Sequence, residues 1–306
     1  MGKTEWRDAL VPVLRRMRAA AQAPEISNVI IDFSNVTQLH PCGTLLFLAE
    51  IERLLETPGC GPKFTGTYPQ DEVVEQLFQH VGLLSKLGLP SRIPQIDAQN
   101  VVPWLYVSGH EGDLRAIPDS LPRILTDSSN QELRLALLSG MAEAVANSSE
   151  HAYIKDREGA SKGYPATKKK WWLFARQVDE DIAVVICDLG AGIPGTLESN
   201  WKEEVRSYLK TRSGLKREHH KMIELAFTVG KTRTNEKHRG KGLKDILKVV
   251  RDHKVGSLGI YSNKGVFSLD NAAGREVSFD EKLSIVGTVI QWSIPIEAFG
   301  LVSEQA

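Results

Sequence analysis

Glu143 and Asn147 stand four residues apart in the stretch EAVANSSEHAY. On a helix that spacing stacks the two side chains on one face, about one turn apart. A carboxylate and a carboxamide so placed can hold a water and a hard cation such as Mg2+. Taken by itself, the same pair also fits a half-exposed helix with a solvated face. Asp188 closes the apolar run Ile182 to Cys187 and is followed by Gly190-Ala191-Gly192-Ile193-Pro194-Gly195. A carboxylate at a strand end, beside backbone bare enough for close approach, can cap the glycine turn or accept a hydrogen bond from a ligand. A third cluster runs from Gly230-Lys231-Thr232-Arg233-Thr234 to Arg239-Gly240-Lys241-Gly242-Leu243. Its glycines and cations precede a helix, where bare amides and the helix N-terminus bind phosphate.

Two familiar templates overlap these clusters. Residues 190–195 fit the G-x-G-x-x-G of a dinucleotide site. Against that reading, Asp188 puts a carboxylate where a pyrophosphate would approach, and the segment follows a hairpin rather than opening a βαβ crossover. Gly230-Lys231-Thr232 matches the end of a P-loop, but the glycine required five residues earlier is Leu225. Charge supports an anionic ligand near the third cluster. Between Trp201 and Ile260 there are 16 Lys/Arg against 7 Asp/Glu, whereas the whole chain balances 38 against 38. That neutrality gives no polybasic signal for nucleic acid or a membrane surface.

The elements that must carry these residues follow from hydrophobic period. Helices are predicted at Glu5 to Ala21, Gly43 to Leu55, Asp71 to Leu87, Gln131 to Tyr153 and Leu243 to His253, with helical pieces between Leu197 and Val229. The helix from Gln131 turns Leu137, Leu138, Met141 and Val145 to its apolar face, and Ser128 or Ser129 is its expected N-cap. Strands are predicted at Asn28 to Phe33, Lys63 to Thr67, Trp104 to Val107, and in a hairpin of Trp171 to Val178 and Ile182 to Cys187. Two β-like pairs follow, Gly256 to Leu269 and Leu283 to Pro295. Strands alternating with helices predict an α/β fold. With 306 residues two domains are expected: an α/β unit at 1–93, a proline-rich linker with one short strand at 94–127, and a second α/β unit at 128–306. The apolar stretches are strand-sized, no secretory signal is visible, and the three cysteines (Cys42, Cys60, Cys187) form no even framework. A cytoplasmic protein without a membrane span is therefore predicted.

Taken in order, the clusters resemble the motifs of the GHKL ATPases, the superfamily of gyrases, Hsp-type chaperones and histidine kinases, and most closely its anti-sigma-factor kinases. Glu143 to Tyr153 is similar to the N-box, Asp188 to Pro194 to the first glycine box, and Gly230 to Leu243 to the lid and second glycine box. Gly287-Thr288 is similar to the terminal Gly-Thr. The resemblance covers about 150 residues and implies a two-layer α/β sandwich with a mixed sheet that binds ATP and Mg2+. It implies that Glu143 orients the attacking water or hydroxyl and that Asn147 holds Mg2+ through the phosphates. Asp188, supported by Thr288, would take the adenine amine. Gly190, Gly192 and Ile193 would border the base and sugar, and Lys231, Thr232, Arg233, Arg239, Gly240, Lys241, Gly242 and Leu243 the phosphates. The second box lacks a third glycine after Leu243, and no dimerisation helix with a phosphoacceptor histidine precedes the domain.

The stretch VIIDFSNVTQLHPCGTLL, from Val29 to Leu46, resembles the STAS family of sulfate-transporter and anti-sigma-antagonist domains. That resemblance implies a unit that binds a protein partner, with homo-oligomerisation open. Where phosphorylated relatives carry Asp-Ser-Ser-Gly, this chain has His40-Pro41-Cys42-Gly43, so no serine phosphoswitch is expected there. The function implied is an ATP-dependent regulatory switch with slow hydrolysis. The alternatives are a serine/threonine protein kinase of the anti-sigma type and an ATP sensor without turnover.

Overall fold

The computed structural model describes residues 5–57, 62–93, 105–110, 112, 128–153, 169–178, 180–200, 205, 218–229 and 242–300. The N-terminal part runs α1 (Glu5–Gln22), β1 (Asn28–Ile31), α2 (Pro41–Glu56), β2 (Lys63–Gly66), α3 (Glu72–His80) and the single turn α4 (Leu83–Lys86). β1 and β2 pair in parallel, as the βαβ connection through α2 requires. The helix predicted to continue from Asp71 to Leu87 is interrupted at Gly82, which sits in the left-handed region with φ 70°.

The rest of the chain builds one sheet. Its strands are β3 (Leu105–Gly109), β4 (Trp171–Val178), β5 (Asp181–Asp188), β6 (Ser257–Ser262), β7 (Gly265–Asp270), β8 (Arg275–Asp280) and β9 (Thr288–Pro295), in the order β3-β4-β5-β9-β6-β7-β8. The sheet was expected to be mixed; each pairing is antiparallel. The physical reason is the connectivity, in which β4–β5, β6–β7 and β7–β8 are hairpins and β9 returns between β5 and β6. β3, the short strand read in the linker, forms the edge beside β4. β8, at the opposite edge, carries exposed residues at both ends and so lacks the apolar alternation that marks a strand.

Among the described residues, four further helices belong to this part: α5 (Gln131–Glu150), α6 (Gly192–Asn200), α7 (His219–Val229) and α8 (Gly242–Arg251). Asn130, not Ser128 or Ser129, caps α5, its side chain accepting from the Leu133 N–H at 3.1 Å. Ser128 instead donates to the carbonyl of Phe299.

Both faces of the sheet are covered. Trp171, Leu173, Val184, Ile186, Ile290 and Trp292 pack with Leu137, Met141 and Val145 of α5 and Ile246 and Val250 of α8. The alternate residues Trp172, Phe174, Val185, Cys187 and Val289 pack with α1 and α2, through Val11, Leu14, Cys42, Leu45, Leu48 and Ile51. Burial on both faces explains why β5 reads as a continuous apolar run rather than an alternating one. The C-terminal part alone is a helix layer on a sheet; the N-terminal helices add a third layer on the other side.

α2 is the centre of that third layer. Leu45, Leu46, Leu48 and Ile51 are fully buried, each worth about 1.5–3 kcal/mol of burial. It also buries charge. Glu50 pairs with Arg18 at 2.8 Å and with Arg53. Burial alone would push the Glu50 carboxyl up, but the two guanidiniums hold it below its ordinary range. Glu52 accepts from the Trp172 indole at 2.7 Å, from Tyr106, and from Lys86 and Lys170 at 2.7 and 2.9 Å. Three of those four donors belong to the large sheet or the segment leading into it. The charges of α2 are thereby matched to the sheet they rest on.

Candidate functional site

At one end of the sheet Asp188, Thr288 and Ser262 lie in register across β5, β9 and β6. The Asp188 side chain is almost enclosed, with 6% of the residue exposed. Its Oδ1 accepts from the Gly190 N–H at 2.9 Å, and its Oδ2 lies 3.4 Å from the Ser148 hydroxyl, which also has the Ala144 carbonyl at 2.9 Å. Burial pushes this carboxyl up to about 6, although Gly190, Ser148 and the backbone and hydroxyl of Thr288 all donate to it and offset part of the cost.

Two glycines fix the turns around it. Gly287 has φ 111°, and a Cβ there would lie 2.1 Å from the carbonyl oxygen of Asp188. No side chain fits either the backbone angle or the space. At Gly190 a Cβ would lie 2.3 Å from the carbonyl oxygen of Ala152, and the Ala191 N–H donates to that same oxygen at 2.7 Å. Gly190 thus lets the glycine turn close onto the end of α5, a reason distinct from the expected approach to a base or sugar.

α5 brings the second cluster. Glu143 and Asn147 are half-buried on one face, with the Asn147 amide N–H donating to Glu143 Oε1 at 3.2 Å. Burial and then the Asp245 carboxylate push the Glu143 carboxyl above its ordinary range, against the pull of Asn147. The next residue, Ser148, is the one whose hydroxyl approaches Asp188, which brings this turn of α5 up to the strand-end carboxylate. His151 lies at the end of this helix, exposed, with Glu150 at 3.8 Å.

Ile193 is in the first turn of α6, and its N–H donates to the Ser262 hydroxyl at 2.8 Å. Ser262 is also 3.0 Å from the Thr288 hydroxyl. Gly242 opens α8 and Leu243 packs half-buried against the helix-side core. Lys231, Thr232, Arg233, Arg239, Gly240 and Lys241 lie outside the described residues. Among the described residues no group of three or more His, Cys, Asp or Glu side chains is placed to hold a metal.

The sequence did not single out Ser148, Ser262 or Asn263. Ser148 sits inside the quoted helix stretch, and Asn263 in a turn whose Asn-Lys-Gly composition signals a hairpin; neither signal announces a contact with the glycine turns. The stretch His40-Pro41-Cys42-Gly43 lies in the interface with the sheet. Cys42 is fully buried and its thiol is 2.8 Å from Gln291 Oε1, while the His40 ring stacks on Trp6. Burial pushes the Cys42 thiol up and holds the His40 imidazole down at about 4, so both are neutral packing groups near pH 7. No helix among the described residues is long and apolar enough to cross a membrane. No protein-family model matches the chain, and no curated protein matches it.

Proposed function

We propose that the chain is a Mg2+-ATP-binding regulatory protein of GHKL type that hydrolyses ATP slowly, with a STAS-like N-terminal unit docked on its sheet. One observation carries this reading: the Ser148 hydroxyl, one residue after Asn147, reaches the buried Asp188 carboxylate. The strand-end acceptor for an adenine amine and the helix face with Glu143 and Asn147 therefore belong to a single site. Gly242 at the N-terminus of α8 supplies the end of a helix, where phosphate is favoured.

The residues present suit Mg2+. Asn147 gives its amide N–H to Glu143, so its carbonyl oxygen is the atom available to a hard cation. Mg2+ ordinarily takes few protein ligands and completes its octahedron with phosphate and water oxygens. Bound there, the ion would neutralise charge on the phosphates. Glu143, with its raised proton affinity, accepts the proton of the attacking water. Asp188 selects the base through the exocyclic amine. The local excess of cations between residues 201 and 260 favours the polyphosphate.

Calorimetry of Mg2+-ATP with wild type and Asp188→Asn tests this. The substitution presents an amide donor to a donor, and losing a hydrogen bond to a charged group costs roughly 1.5–3 kcal/mol, or about 10- to 100-fold in affinity. Wild-type affinity should also fall as pH drops through about 6, where the carboxyl takes up a proton, and Asp188→Asn should lack that limb. ATP's own phosphate titration is common to both proteins and cancels in their ratio. Unchanged affinity in a folded Asp188→Asn protein removes this carboxylate from the pocket. With γ-labelled ATP, free phosphate supports hydrolysis, label on a protein supports the kinase alternative, and binding with neither product supports a sensor.

A further inference from the structure

The two turns that frame Asp188 are tied together by Asn263, at the tip of the β6–β7 hairpin, beside the Ser262 hydroxyl that lies between the Ile193 N–H and the Gly287 carbonyl. Its Nδ2 donates to the Ala191 carbonyl at 2.7 Å, and its Oδ1 accepts from the Gly287 N–H at 3.3 Å. Its own backbone continues the tie, with Asn263 N–H donating to the Gly287 carbonyl at 3.0 Å and the Ile285 N–H donating to the Asn263 carbonyl at 3.1 Å. Asn263 adopts φ 52° to make these contacts, a conformation that asparagine tolerates better than most residues. The spacing between the glycine turn and the start of β9 is set here.

The N-terminal helix reaches the same place. Arg7, 2% exposed, donates through Nη2 to the carbonyls of Asn263 at 3.2 Å and Leu283 at 3.0 Å. One helical stretch on, Arg18 donates to the Ile285 carbonyl at 3.2 Å while paired with Glu50. Two buried guanidiniums from α1 thus hold the 283–287 loop by its backbone. Burial pushes the Arg7 guanidinium down from its ordinary value. Two backbone carbonyls accept its hydrogen bonds and the Glu281, Asp8 and Asp280 carboxylates offset part of the burial, yet enclosing it there still costs stability that apolar packing would not. A positioning role explains why a guanidinium occupies the place.

We propose that Arg7 is a positioning residue of the nucleotide pocket: acting through Asn263, it sets the spacing of the Ala191 and Gly287 turns and so the pocket's affinity. The docked N-terminal unit is then part of the site rather than an appended module. By linkage, nucleotide in the pocket tightens the hold on α1 to the same degree that α1 tightens the hold on nucleotide. This inference rests on the ATP reading above.

The test is Mg2+-ATP calorimetry on the full chain as wild type, Arg7→Ala, Asn263→Ala and the double variant. Arg7→Ala should weaken binding at least about fivefold in folded protein, and the double variant should bind no worse than Asn263→Ala, because the two act in series. An Arg7 that merely stabilised the fold would leave the affinity of folded protein unchanged. Where Arg7→Ala does not fold, hydrogen exchange of the wild type decides. Saturating Mg2+-ATP should slow the amides of residues 5–22 as well as those of 283–287. Wild-type binding with Arg7→Ala within twofold of it, losses that multiply in the double variant, or unchanged exchange of α1 with nucleotide bound would each overturn the inference alone. A wild type that binds no ATP overturns the nucleotide reading and this inference with it.

Discussion

Glu143 and Asn147 share a hydrogen bond but have separable tasks. In the proposed reading Glu143, its proton affinity raised by burial and by Asp245, would serve turnover, and Asn147, whose amide oxygen is left free by that bond, would serve the metal. Glu143→Ala should leave nucleotide affinity within about threefold while lowering phosphate release by about 10²-fold or more. Asn147→Ala should weaken Mg2+-ATP binding and affect Mg2+-free nucleotide less. Paired calorimetry and phosphate-release assays check both, and normal turnover in both variants would leave α5 with a merely solvated face. These two residues and Asp188 were legible in the sequence because each breaks a pattern. A carboxylate ends an apolar run, and two polar groups one turn apart interrupt small residues. Ser148 and Asn263 break no pattern; their roles arise from contacts 40 and 72 residues away, which local composition does not encode.

Among the elements, α2 shows what an apolar sequence can hide. GTLLFLAEIERLL reads as an amphipathic helix whose charges form a solvated stripe, and only the sheet placed against it shows that the helix is buried nearly throughout. Glu50 is fully enclosed between Arg18 and Arg53. Removing one partner of such a buried cluster leaves charge uncompensated and costs about 3–5 kcal/mol. Glu50→Gln keeps the shape and should show that loss in chemical denaturation, whereas a surface pair such as Arg251–Glu276 should cost under about 1 kcal/mol when broken. A Glu50→Gln protein as stable as wild type would mean that the arginines are satisfied without it. β8 escaped the sequence reading because an edge strand with exposed ends needs little apolar alternation, and the break at Gly82 escaped because the apolar spacing continues through it.

At the scale of the whole molecule, the described residues form three layers, with the N-terminal helices packed on one face of the large sheet. The chain's α/β character and the position of the hairpin at 171–188 followed from pattern. The docking of the N-terminal helices did not, because both faces of a strand look alike in a run of apolar residues and only the alternation of Trp171, Leu173 and Ile186 with Trp172, Phe174 and Cys187 sorts them. With that docking in place, a partner bound to the N-terminal part and the proposed nucleotide at Asp188 would act on one connected structure, so each is expected to sense the other. In the proposed complex adenine sits at Asp188 with the phosphates running toward Asn147 and the start of α8. A crystal structure of the full chain grown with Mg2+ and a non-hydrolysable ATP analogue decides it. The exocyclic amine should lie within hydrogen-bond distance of the Asp188 carboxylate, with Mg2+ bound by the Asn147 amide oxygen. Nucleotide seated elsewhere, with Asp188 still enclosed by Ser148, Gly190 and Thr288, would contradict it.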